Sequence, residues 1–195
     1  MSSTGRAAKV QLERRLQTAL HGARLLDRKQ HILADQLERL QFREDQKRAE
    51  WEALARDAAL WLRRSAALDG TEHIGGATPK DAATVVLQWG NTMGVRYPKD
   101  PQCRTPDFPE AGGSSALTYA AIVHRDALRA GVDLAAVQRA RVLMAAELAA
   151  TRTRQRAVEN RWIPRLEVEL MSIRRQLDAQ ELEESLRLRW AADRS

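Results

Sequence analysis

Residues 12–61 read LERRLQTALHGARLLDRKQHILADQLERLQFREDQKRAEWEALARDAALW. Taken in steps of three and four they lay down one ladder: Leu12, Leu16, Ala19, Ala23, Leu26, Gln30, Leu33, Leu37, Leu40, Glu44, Lys47, Trp51, Leu54, Ala58 and Trp61. This heptad spacing predicts a long helix that buries one narrow seam against a partner helix. No proline interrupts it, and Gly22 is the only glycine inside it. A helix from about Lys9 to Arg64 would extend on the order of 80 Å at ~1.5 Å per residue.

A second ladder follows near the other end. Leu134, Val137, Arg141, Met144, Leu148, Thr151, Gln155 and Val158 keep the spacing, and Ile163, Leu166, Leu170, Ile173 and Leu177 continue it in a frame shifted by one position. A route through Trp162 runs by fours instead, a stutter that locally unwinds a left-handed supercoil. Pro164 sits at this discontinuity, where its ring and missing donor disfavour a straight helix. Ile163 and Pro164 therefore mark a candidate bend.

Residues 69–115 hold five of the six prolines and most of the glycines, so no long helix is expected there. Thr84–Trp89 and Met93–Tyr97 are β-prone and flank Gly90-Asn91, which predicts a short hairpin. Residues 98–113 read as irregular. The first helix is expected to start near the Ser2-Ser3-Thr4 cluster and to fade around Leu68-Asp69-Gly70. Ser114 or Ser115 is expected to cap a second helix running to about Ala130, with a break at Gly131 and Asp133. The predicted fold is mainly α. It is a long antiparallel two-helix left-handed coiled coil with a small mixed head, divided into a helical arm (1–68), a head (69–115) and a second arm (116–195). Placing Arg64 near Leu134 sets Glu44 and Lys47 opposite Thr151, Arg154 and Gln155, a polar layer that would fix register.

The composition suits this architecture. Charged residues make up 30% of the chain and aromatics only 5%, a mixture that favours a narrow seam over a thick core. One cysteine, Cys103, rules out an intrachain disulfide, and no apolar leader opens the chain, so a reducing, cytoplasmic setting is expected. Nor is there an apolar run of bilayer-spanning length, so direct membrane insertion is not expected. Net charge is +6, and it is uneven: residues 1–65 carry +5, 66–116 carry −2 and 117–195 carry +3. A basic rod can meet nucleic acid, an anionic membrane surface or an acidic protein sleeve.

Enzyme chemistry is missing from the sequence. Gly75-Gly76-Ala77-Thr78-Pro79-Lys80 does not have the spacing of a G-x-x-x-x-G-K-S/T phosphate loop. His21, His31, His73 and His124 form no H-E-x-x-H pattern, and one cysteine cannot build a structural zinc site. No catalytic, cofactor or metal residues are assigned.

Three ordered motifs carry a family resemblance. Gly5-Arg6, Leu12, Arg15-Leu16, Ala19, Gly22, Leu25-Leu26, Lys29 and Leu33 resemble the opening of the D subunit of the V/A-type rotary ATPases. Asn91-Thr92-Met93-Gly94-Val95 with Pro98 resembles that family's central motif, so Met93, Gly94 and Val95 are the head motif. Arg154, Ala157-Val158-Glu159, Ile163-Pro164-Arg165-Leu166-Glu167, Ile173, Leu177-Asp178, Glu181, Glu183-Glu184 and Arg187-Leu188 resemble its closing pattern. The chain departs from it at Gln155-Arg156-Ala157 and at His31. The resemblance implies a non-catalytic central-stalk rotor that carries torque between a ring of A and B subunits and a membrane rotor. Its implied partners are those subunits, the F subunit and the funnel-shaped C/d subunit, with no cofactor and a peripheral place on a membrane complex.

By the same resemblance both termini enter the ring, so Arg6, Lys9, Arg14, Arg15, Arg187 and Arg189 would face its bore. Residues 1–30 hold seven basic against two acidic side chains. These charges either guide the shaft through diffuse contact with an acidic sleeve or only keep a long helix soluble. Two other classes compete: a nucleic-acid-binding coiled coil, opposed by interleaved Glu and Asp, and a general coiled-coil scaffold, which gives no reason for three ordered motifs.

Overall fold

The computed structural model describes residues 2–107 and 113–193. Its elements are α1 (Ser2–Gly76), β1 (Thr84–Thr92), β2 (Val95–Arg104), α2 (Ser115–Ala157), a π-helical turn (Val158–Trp162) and α3 (Ile163–Ala192). The chain is thus mainly helical with one two-stranded antiparallel sheet, as the ladders and the β-prone stretch predict. The capping role expected of Ser2, Ser3 and Thr4 falls on side chains outside those described, as does Pro109.

Two compact units divide the chain: residues 1–31 with 149–195, and residues 32–148. In the first unit the start of α1 pairs antiparallel with α3. Leu12, Leu166 and Leu170 are buried together, with Leu16, Ala19 and Ile173 packed against them. Arg174 Nη2 donates to Glu13 Oε1 at 2.8 Å and Arg6 Nη2 to Glu181 Oε1 at 3.3 Å, which fixes the same antiparallel sense.

In the second unit α1 pairs antiparallel with α2. Leu33, Leu40, Ala140, Met144 and Leu148 form its main cluster, and Val95 and Tyr97 of β2 close over it. A second cluster joins Ala58, Val123 and Ala127, flanked by Leu54 and Trp61. Every ladder position from Leu33 to Trp61 is buried or half-buried except Trp51. The heptad reading therefore identifies the seam almost residue by residue.

Its register needs correction. Lys47 meets Asp133, Glu44 meets Arg141, and Trp61 stacks edge-on against Tyr119 at 4.5 Å. Thr151, Arg154 and Gln155 are not their partners. The cause is the expected break at Gly131, which does not exist: α2 runs through it without interruption. Pairing consequently begins at the true start of α2, several turns earlier in sequence. Gly131 serves a different purpose. A Cβ there would lie 3.1 Å from the Trp51 indole nitrogen, so the glycine admits that ring.

The helix end near residue 70 is also more structured than its composition suggests. Gly70 adopts φ +78°, ψ 168°, a conformation open to glycine, and helix resumes beyond it to Gly76. Just before this kink Asp69 accepts from the Ser114 main-chain N–H at 2.8 Å and from its hydroxyl at 2.6 Å. Ser114 is the residue that opens α2, its carbonyl accepting from Leu117 and Thr118. Its hydroxyl, expected to cap its own helix, instead ties α2 to α1.

Residues 98–104 are not irregular, because β2 continues to Arg104. Pro98 pairs with Trp89, and a bulge sets Leu87 opposite Asp100 and Pro101. Asp100 takes φ +47°, the left-handed region that short polar residues tolerate. Pro101 lies in the bulge, and Pro98 lies in a strand that is an edge of a two-stranded sheet, the two places where a strand tolerates proline. The turn is not at Gly90-Asn91 either. It is the two-residue loop Met93-Gly94, with φ +51° and +87°, the signature of a type I′ hairpin turn. Gly90 is needed elsewhere: a Cβ on it would stand 2.9 Å from the Tyr97 ring.

Candidate functional site

The residues singled out by the sequence fall in separate places. Within the first unit, Arg6 is ion-paired with Glu181, and Arg187 with Glu183 one turn away at 3.5 Å. Lys9 is half-buried, and Arg189 is exposed. Arg14 and Arg15 lie together on a groove of about 460 Å³ whose walls include Ala19, Gly22, Val158 and Trp162. The Arg15 guanidinium sits over the Trp162 ring, 5.6 Å from its centre, within cation–π range. The structure therefore gathers Arg14 and Arg15 at one feature and leaves the other four outside it.

The discontinuity of the second ladder takes a definite form. One extra residue is absorbed in the π turn Val158–Trp162, where the Ile163 N–H donates to the Val158 carbonyl, five residues back. Of the two routes through this region the seam follows the shifted frame: Ile163 is 9% exposed and Trp162 44%. Pro164 falls in the first turn of α3, where a missing N–H is tolerated. The turn thus absorbs both the frame shift and the proline.

In the second unit the polar interruption of the ladder is an ionic network. The Glu44 side chain is only 8% exposed and receives Arg48 Nη2 at 2.6 Å. Arg141 Nε lies 2.5 Å from its other oxygen as a charge contact, without hydrogen-bond alignment. Gln138 Nε2 adds a long bond of 3.4 Å. Lys47 Nζ reaches Glu50 at 2.8 Å and Asp133 at 3.3 Å. Its hydrogen bond to Glu50, aided by Asp133 and opposed by partial burial, holds its ammonium above the ordinary lysine range. The Ser114 hydroxyl, with the Ser114 N–H and the nearby His73, holds the Asp69 carboxyl below its ordinary value.

The head motif is structural in its details. Asn91 Oδ1 accepts from the Gly94 N–H at 3.1 Å, Gly94 supplies the left-handed turn, and Val95 anchors β2 on the core. Val85, Leu87 and Trp89 of β1 remain exposed, with Arg96 over the Trp89 ring at 5.6 Å. Sequence patterning misses the Asp69–Ser114 tie, which joins residues 45 positions apart. It also misses the exposure of Trp162. The spacing of five between Val158 and Ile163 is the available signal.

Among the described residues no group of three or more His, Cys, Asp or Glu side chains is placed to hold a metal ion. None of the described helices is long and apolar enough to cross a membrane. The model of the family described as the ATP synthase D subunit matches residues 9–193. No curated protein matches the chain.

Proposed function

Because the chain belongs to the ATP synthase D-subunit family, a family of rotary ATPase stalk subunits, we propose that it is the non-catalytic central rotor of a V/A-type ATPase or ATP synthase. It carries torque between the A/B catalytic ring and the membrane ion-translocating rotor. The observation that carries this reading is the family match across nearly the whole chain, on a molecule whose helices are paired along heptad seams. Two helices locked side by side resist bending and twisting better than one, which is what a rotating element requires.

In this role Arg6, Lys9, Arg14, Arg15, Arg187 and Arg189 face the ring. The F subunit and the funnel-shaped C/d subunit engage the chain away from it, and the rotor is attached to the membrane complex peripherally. Ile163 and Pro164, with the π turn before them, supply a bend. A rotor needs such asymmetry to place otherwise identical catalytic sites in different states. Co-purification of the tagged chain with A, B, F and C/d subunits tests the assignment, and a chain that captures none of them refutes it. Pro164→Ala should change the ratio of ions moved to ATP hydrolysed while leaving assembly intact; an unchanged ratio removes the bend from the mechanism.

A further inference from the structure

We propose that the groove beside Trp162 in the first unit is a docking notch for an acidic polypeptide segment that presents a bulky apolar side chain. The inference rests on the rotor reading in one respect: it takes the catalytic ring as the source of that segment.

Two local features open the notch. At Gly22 nothing lies within 4 Å of where a Cβ would stand, so a side chain's worth of space is empty in the middle of a helix. Glycine there is less favourable than alanine, and packing inside the unit supplies no compensating close approach. The π turn is the second feature. By carrying Ile163 into the seam it leaves the Trp162 indole outside, as one wall of a cavity of about 460 Å³. An apolar recess with an exposed tryptophan is where an interface hot spot forms.

Charge identifies the occupant. No acidic residue lines the groove, while Arg14 and Arg15 stand on it. Arg6 and Arg174 of the same unit are neutralised by Glu181 and Glu13, but no carboxylate among the described residues is ion-paired with Arg14 or Arg15. An apolar anchor seated against Ala19, Val158 and Trp162, flanked by Asp or Glu, satisfies both the cavity and the two guanidiniums. Arginine stacked on an aromatic ring keeps its N–H donors for such carboxylates. A nucleic acid backbone would use the charges and leave the apolar recess unfilled.

The test uses the full-length chain and, as probe, the isolated ring assembled from the A and B subunits of its own complex, with affinity measured at low and moderate salt. Gly22→Leu fills the notch and strengthens the helix, so its thermal unfolding should be no lower than wild type while its Kd rises at least tenfold. Arg14→Glu with Arg15→Glu should weaken binding at least tenfold and flatten the salt dependence. Arg63→Glu, an exposed charge in the other unit, should stay within twofold. Wild-type binding with both groove variants also within twofold overturns the notch and leaves the rotor assignment standing. Failure of the wild-type chain itself to bind the ring overturns both. Binding of a single-stranded oligonucleotide that is lost with the arginines, in the absence of ring binding, makes nucleic acid the occupant and refutes the proposal.

Discussion

Removing the Glu44 carboxylate should destabilise the second unit and, under one further change, let its helices slip. The Glu44 side chain is 8% exposed, whereas Arg48 and Arg141 are 48% and 38% exposed. Breaking a fully buried pair costs about 3–5 kcal/mol. Both guanidiniums here regain water when the carboxylate leaves, so Glu44→Ala should cost less, about 2 kcal/mol. With a urea m-value of about 2 kcal/mol/M, the unfolding midpoint followed by circular dichroism falls by ~1 M. Replacing both charges, Glu44→Leu with Arg141→Leu, restores an apolar ladder and should be neutral or stabilising by about 1–4 kcal/mol. The same double change removes the buried charge layer that distinguishes this heptad from its neighbours, alongside the Trp51–Gly131 fit and the Asp69–Ser114 tie. Cysteines introduced at 47 and 133, in a Cys103→Ser background, should crosslink in the otherwise native chain, and those at 47 and 140 should not. In the double-leucine variant the 47/140 pair should crosslink as well, reporting a one-heptad slip. A Glu44→Ala effect below about 0.5 kcal/mol, within the range of ordinary surface substitutions, together with no 47/140 crosslink would refute the view that this network sets register.

Leu33, fully buried against Met144 and its neighbours, should lose about 2–5 kcal/mol of stability on Leu33→Ala, read as a drop in urea midpoint. Gly94→Val should disrupt the Met93-Gly94 turn, because φ +87° is strained for a β-branched residue; amide exchange in β1 and β2 should rise while the helices stay protected. Asp69 has its folded-state carboxyl held below the ordinary value of 3.8, so its tie to Ser114 contributes fully above that value and is lost as pH falls through the lower folded value. A titration of the Ser114 amide resonance should show a step below pH 3.8, absent in Asp69→Asn.

The seams are legible because burial in paired helices writes itself into sequence with a fixed period. Leu12, Leu33, Leu40, Ala58, Met144, Leu148, Leu166 and Leu170 all lie where the three-four spacing puts them. Register is not legible, since two periodic ladders can be aligned at many offsets. The offset fails at Gly131, where a glycine reads as a helix end although it makes room for Trp51. The hairpin is legible but its turn is not, for the same kind of reason. Gly90 yields space to Tyr97, and the left-handed positions fall at Met93 and Gly94, the former a residue that local propensity would not nominate. The Asp69–Ser114 tie depends on how the chain returns after the hairpin, which no local pattern encodes. In the candidate site, the basic residues are evident, but the notch arises only when Gly22, Val158 and Trp162 are brought together.

The π turn shows how one insertion serves both packing and recognition. Adding a residue to an α-helix rotates everything after it by roughly 100°. Were the same residues wound as an uninterrupted α-helix, the ladder would pass from Val158 to Trp162, forcing an indole into a seam whose other members there are Leu12, Leu16, Leu166 and Leu170. With it, Ile163 takes the buried place, the surplus backbone donor is satisfied by the five-residue bond to Val158, and Pro164 lands where its missing N–H is harmless. Trp162 is thereby displaced onto the surface beside Arg15 and across from the vacancy at Gly22. Deleting Asn160 would bring Ile163 to four residues after Val158 and restore an uninterrupted helix, and it would move Trp162 relative to Val158 and the residues before it, which form part of the notch wall. The local irregularity is therefore the element through which the seam's geometry and the proposed docking surface are coupled.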